Sequence, residues 1–186
     1  GESAREERDW TNNVTILSGN IGVAGLATDN CYHVVSGATD ARLDGFTVQD
    51  GYANGSGSYE MWGGGMFSAG VHPITANCIF SNNFAGYGAS SGGAGVWWSQ
   101  GTYNVATVGW YNCTFDSNTG YMPANWVYGS AMYLNFYTNI VGGLSNCTFR
   151  NNVNTGVYGR ATVYAVDAGQ KTWPAGSGLD LTGCRF

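Results

Sequence analysis

Charged side chains are scarce in this chain: they make up 10% of its 186 residues, against roughly 25% in an average soluble domain. Its polarity has to come from Asn, Ser, Thr and Gly. The seven Lys and Arg are scattered singly in a chain of net charge −5. No basic stripe is left to neutralise phosphates, which excludes nucleic acid as an expected partner. Proline is scarcer still, with three residues against 30 glycines. A glycine inside a helix costs about 1 kcal/mol relative to alanine, so this balance excludes a helical fold and points to a turn-dense all-β chain. No apolar run reaches the roughly 18 to 20 residues of a membrane helix, and no charged-then-apolar leader opens the chain, so no membrane insertion by this segment is expected. The patterns C-x-x-C, P-loop and H-E-x-x-H are missing, and with them common signatures of bound metal and phosphate binding. Neither a cofactor nor a metal is expected.

What is present is repetition. The stretches "NCIFSNN" at 77–83, "NCTFDSN" at 112–118 and "NCTFRNN" at 146–152 are close copies. Self-similarity at 20 to 50 residues is the signature of a solenoid or array, and it governs every other reading. Anchoring on Phe46, Phe80, Phe115, Phe149 and Phe186 gives spacings of 34, 35, 34 and 37 residues, which predicts about five coils. A second motif recurs between the anchors: "GGGMFS" at 63–68, "GAGVWW" at 93–98, "GSAMYL" at 129–134 and "RATVYA" at 160–165. The predicted coil is two short strands, one of each motif, joined by loops that absorb the length variation. The fold expected is a right-handed parallel β-helix over 1–186, as one domain, with a lead-in segment and partial coil over 1–30 that includes "NVTILSGNIG" at 13–22. The chain opens on "GESAREERDW" and ends on "GCRF", and so reads as a processed or excised piece of a longer one.

Alternation of side chains along a strand sets the faces. Cys78 and Phe80 point together, as do Cys113 with Phe115 and Cys147 with Phe149, while Thr114, Thr148 and Arg185 point away. Stacking coils about 4.8 Å apart turns like residues into columns. A Phe ladder, a Cys ladder and an Asn ladder at Asn77, Asn112 and Asn146 are expected, with asparagine accepting the left-handed backbone of a sharp bend. Gln49, Asn83, Asn118 and Asn152 form a second amide column, and Thr47, Ser81, Asp116 and Arg150 a third column in which Asp116 and Arg150 can pair. Five cysteines placed once per repeat read as reduced, buried thiols rather than crosslinks, with Cys31 outside the ladder.

"FSNN", "FDSN" and "FRNN" match F-x-x-N, and "GGGM", "GAGV" and "GSAM" approximate GGA[ILV]. In these motifs the chain resembles the polymorphic outer-membrane protein repeats of bacterial right-handed β-helix surface proteins. "RATV" and the final "GCRF" depart from the pattern. The resemblance implies an extracellular or cell-surface location and an adhesive or scaffolding role. It implies no defined reaction.

The acids Asp29, Asp40, Asp44, Asp50, Glu60, Asp116, Asp167 and Asp180 do not cluster by register, and His33 and His72 have no partner at catalytic spacing. Catalysis is therefore not the favoured reading, although a polysaccharide-active lyase or hydrolase stays as the alternative. Asn13, Asn54, Asn112 and Asn146 each open an N-x-[ST] triplet, but in so Asn- and Thr-rich a chain repetition accounts for them. The aromatic excess, 15% of residues with seven Trp and twelve Tyr, is more informative. Aligned small-residue strands put Met66, Val96, Met132 and Val163 in an inward column together with Ser68, Trp98, Leu134 and Ala165. Phe67, Trp97, Tyr133 and Tyr164 then form an outward strip, which could bind a glycan or partner surface or be covered by loops such as 120–128. Exposed strand edges at the ends of the solenoid make head-to-tail self-association a further expectation.

Overall fold

The structure is a computed structural model that describes residues 3–57, 59–87, 91–101, 105–123, 126–137, 139–156, 158–159, 161–167 and 179–186. It is a parallel β-solenoid of about four turns. Each full turn runs through five flat stretches rather than the two expected, and like stretches of successive turns pair in parallel to make five sheets. The first sheet stacks Thr15–Ser18, Phe46–Gln49, Ile79–Ser81, Thr114–Asp116 and Thr148–Arg150. The second stacks Tyr52–Ala53, Phe84–Ala85, Thr119–Gly120 and Val153–Asn154, and the third Ser91–Gly92, Trp126–Tyr128 and Tyr158–Gly159. The fourth stacks Val35–Ser36, Met66–Ala69, Val96–Ser99, Met132–Phe136 and Val163–Asp167. The fifth stacks Arg42–Asp44, Ile74–Ala76, Val105–Tyr111, Asn139–Ser145 and Asp180–Thr182. Among the described residues helix is confined to two three-residue 3-10 turns, Arg5–Glu7 and Ala27–Asp29.

Corners set the register. Asn77, Asn112 and Asn146 all have φ of +54°, and Asn82, Ser117 and Asn151 follow five residues later at +53° to +57°. Asparagine tolerates this left-handed conformation better than residues with bulky or branched side chains. In the first coil the same five-residue step runs from Gly45 (φ +81°) to Asp50 (φ +61°). That places Val48, not Phe46, opposite Phe80, and corrects the first anchor by two residues. Gln49 consequently stands opposite Ser81 in the charged column, and Gly51 takes its place beneath Asn83. A slip of two keeps every side chain on its face, so the inward and outward assignments survive. The lead-in strand is real: Thr15–Ser18 pairs with Phe46–Gln49, with Leu17 opposite Val48.

The columns run the length of the core. Phe80, Phe115, Phe149 and Phe186 stack at 5.1, 4.9 and 5.0 Å, with ring planes within 7° of parallel. Beside them Cys78, Cys113 and Cys147 are buried, with Cys184 partly exposed at the last level. Each of these thiols donates to the carbonyl two residues earlier and to one in the coil below; Cys147, for example, reaches Ser145 O at 3.6 Å and Trp110 O at 3.4 Å. All five cysteines are unbridged, and Cys31 stands apart from the ladder. Burial pushes the Cys78 and Cys113 thiols above their usual value, which withholds the thiolate that alkylating reagents need. In the native protein iodoacetamide should therefore label only the partly exposed Cys31 and Cys184, and all five cysteines after denaturation. Rapid native labelling of Cys113, read by peptide mass spectrometry, would contradict the buried ladder.

Two asparagine ladders brace the corners. On the outer one, Asn146 Nδ2 donates to Asn112 Oδ1 (3.3 Å), Asn112 Nδ2 to Asn77 Oδ1 (3.1 Å) and Asn77 Nδ2 to Asp44 Oδ1 (2.7 Å). Asp44 also pairs with Arg42 (2.8 Å) and Arg8 (3.1 Å). Burial alone would raise its pKa, but the hydrogen bonds from Asn77 and Arg42 and the two guanidinium charges outweigh burial and hold it below the usual value. The inner ladder, Asn83, Asn118 and Asn152, lies inside the corner, and each amide bonds both to the next amide and to a backbone carbonyl. Arg150 pairs with Asp116 at 2.9 Å as the register requires, but the Arg150 side chain is 62% exposed, so the pair contributes at most about 1 kcal/mol.

Candidate functional site

The fourth sheet carries the outward aromatic strip. A left-handed glycine precedes three of its strands, Gly63, Gly93 and Gly129, with φ of +59° to +64°. A side chain at Gly93 would overlap the Val96 carbonyl, so the bend that launches the strand needs glycine. From there alternation sends Met66, Val96 and Met132 into the core, with Ser68, Trp98 and Leu134 two residues on. Val163 is only half-buried and Ala165, in the last strand of the sheet, is exposed, so the inward column loosens at that end. Arg160 of the fourth motif and the side chain of Asp167 lie outside the described residues.

Phe67, Trp97, Tyr133 and Tyr164 stand in direct register on the outer face. Their ring centroids are 4.7, 6.1 and 5.7 Å apart and their planes are parallel to within 11°. His33 extends the column below Phe67 at 4.8 Å, its Nδ1 3.1 Å from the Gly63 carbonyl, and burial lowers its pKa. The strip is also covered along its length. Tyr59 packs on Phe67, Trp62 on both Trp97 and Tyr133, and Tyr128 on both Tyr133 and Tyr164. Trp97 is consequently only 8% exposed, while Phe67, Tyr133 and Tyr164 are half-buried. Burial, with the neighbouring Tyr164, Tyr137 and Tyr128, pushes the Tyr133 phenol up to about 12. Part of the cover comes from the anticipated loop 120–128, through Tyr128, with Ala124 and Asn125 outside the described residues. The rest comes from Tyr59 and Trp62, which the repeat alignment treats as loop.

This geometry limits what the strip can do. Ring faces that lie against one another are not open to a sugar ring or another flat ligand. Edges and the tyrosine hydroxyls are what the strip offers outward. It is built as a second, external core with a partly open margin.

The acids are separately engaged. Asp29 accepts from Val23 N (2.7 Å), Asp50 from Ser18 and Gln49 at a corner, Glu60 from Gly57 N (2.9 Å), and Asp44 and Asp116 from their arginines. Among the described residues no group of three or more His, Cys, Asp or Glu is placed to hold a metal ion. His72 packs tilted against Trp98 at 5.7 Å, and burial lowers its pKa. The same residues include no helix long and apolar enough to cross a membrane. A second outward stack, invisible to the repeat alignment, stands on the second sheet: Tyr52 against Phe84 at 4.3 Å, and Phe84 against Tyr121 at 6.3 Å. Its signal is an aromatic four residues after the core position in two coils, Tyr52 after Val48 and Phe84 after Phe80, which the two-strand picture of the coil leaves in a loop; the next coil has Thr119 there and Tyr121 two residues on.

The chain matches no protein family, no curated protein and no solved structure.

Proposed function

We propose that this chain is a structural and adhesive module of a secreted or cell-surface bacterial protein. The observation that supports it is continuity: thiol, phenylalanine and asparagine columns and the outer aromatic strip each tie one coil to the next from the second coil onward. Such a body holds surface groups at a fixed spacing of about 4.8 Å per coil and resists bending. Its weathering faces are adhesive contacts, and the open margin of Phe67, Trp97, Tyr133 and Tyr164 is one of them. The motif resemblance to bacterial surface β-helices points the same way. At the ends, edge strands such as Thr15–Ser18 and Asp180–Thr182 pair on one side only among the described residues, a template for flanking chain or for a second copy stacked head to tail.

Electron microscopy of the purified chain, with light scattering across a concentration series, tests the assembling part of this reading. Linear rows of solenoids that lengthen with concentration are expected. Compact monomers at every concentration would remove self-assembly and leave a scaffold that depends on its flanks.

A further inference from the structure

A trough of about 300 Å³ runs along the corner between the first and second sheets. One side is a row of corner residues, Asp50, Asn82 and Ser117, held in successive coils by the left-handed bends. The other side is the outward edge of the second sheet, where Tyr52 and Phe84 supply an apolar wall. Asn30 closes one end, its Nδ2 donating to Asp50 O at 2.8 Å. We infer that this trough is a binding site for an extended neutral polysaccharide lying along the solenoid axis. The inference deepens the adhesive reading and rests on it.

Three observations carry it. The hydrogen-bonding capacity of the row is underused. The Asn82 amide is exposed and makes no hydrogen bond among the described residues, its backbone N–H being the only group engaged, with Asp116 O at 3.2 Å. The Asp50 carboxylate is engaged through Oδ2, and the Ser117 hydroxyl donates to Asp116 Oδ1 at 3.0 Å, which leaves its oxygen to accept. The charge pattern selects against anions: no Lys, Arg or His lines the trough and its one charge is Asp50, so a uronate or sulfated chain is repelled. The row is periodic. A polymer whose hydroxyls recur along its length meets a polar corner residue in each coil, paired with an aromatic ring in two of them, Asp50 with Tyr52 and Asn82 with Phe84, and with Thr119 in the third; the polar-plus-aromatic pairing suits the OH-rich and CH-rich faces of a sugar. The corner presents no run of free backbone donors and acceptors, so an extended peptide has no ladder to join there.

The experiment is titration calorimetry of the whole chain with three neutral hexasaccharides, cellohexaose, chitohexaose and maltohexaose. A hexagalacturonate and the three disaccharides serve as controls. At least one neutral hexamer should bind, with its disaccharide and the hexagalacturonate weaker by about tenfold or more, a difference of about 1.4 kcal/mol. Asn82→Gly and Ser117→Gly, which keep the left-handed corner backbone, should each weaken binding by about three- to tenfold, as expected for one lost hydrogen bond, without moving the melting temperature by more than a few degrees. Tyr52→Ala serves as the apolar-wall variant. Binding by none of the three hexamers overturns the inference, and so does binding that Asn82→Gly and Tyr52→Ala leave unchanged. Binding that disappears only with Trp97→Ala or Tyr133→Ala would move the sugar to the outer strip, overturning the trough while leaving the adhesive reading in place.

Discussion

Asn118→Ala should cost about 4 to 6 kcal/mol, a large part of the 5 to 15 kcal/mol that holds a domain of this kind together. The size follows from what the amide leaves behind. Asn118 is fully buried, its Nδ2 donating to Phe80 O and Asn152 Oδ1 (both 2.9 Å) while its Oδ1 accepts from Asn83 N (3.2 Å) and Asn83 Nδ2 (3.0 Å). Truncation strands the Phe80 carbonyl and the Asn83 backbone N–H inside the corner and weakens both neighbouring amides, each orphan costing about 1 to 3 kcal/mol. The contrast is with the outer ladder. Asn112 has exposed amide bonds of 3.1 and 3.3 Å and its chief task is conformational, at φ +54°. Asn112→Gly keeps that backbone and should cost no more than about 1 kcal/mol. Chemical denaturation of the two variants side by side checks the ordering. An Asn112→Gly loss as large as that of Asn118→Ala would show that the inner ladder is not the stronger brace.

The two ladders also show what was legible in the sequence. The repeat of Asn-Cys-x-Phe, with its second asparagine six residues after the first, announces a coil with two amide columns, and strand alternation alone puts cysteine and phenylalanine inside. Those readings hold because they need only periodicity. The first coil was misread because Phe46 offers a better residue match than Val48 while the bend positions Gly45 and Asp50 are the true constraint. Side-chain likeness is a weaker guide to register than the residues that tolerate left-handed backbone. The extra sheets were missed for a different reason. Pairs such as Tyr52–Ala53 and Phe84–Ala85 are too short to show alternation, and they are strands only because the coils above and below bond to them. The cover on the aromatic strip is legible only in part: loop 120–128 supplies Tyr128 as expected, while the packing of Trp62 against Trp97 joins residues of different coils and leaves no local signal.

Trp97→Ala is the substitution that decides what the strip is. The indole stacks on Phe67 at 4.7 Å and on Tyr133 at 6.1 Å, with Trp62 across it at 6.0 Å. Removing it should cost about 3 to 5 kcal/mol, the range for truncating a buried aromatic, because the transfer free energy is lost together with the stacked pairs on both sides. Tyr164→Ala, at the half-buried end of the column with ring contacts to Tyr133 and Tyr128, should cost roughly half as much. Near-ultraviolet circular dichroism should lose the contribution of the Trp97–Trp62 pair in the first variant, the core Trp98–Trp110 pair persisting, and change little in the Trp region in the second. A strip that served mainly as a ligand platform would behave otherwise. Its central ring would be exposed in the free protein, and truncating it would change stability by under about 1 kcal/mol, as at ordinary surface positions. A loss that small at Trp97 would mean that Trp62 does not hold the ring under cover in solution, and that the ring faces open to a partner. A loss in the buried range instead makes the strip a second core, and leaves its outer margin and the corner trough as the surfaces on which the proposed adhesion would rest.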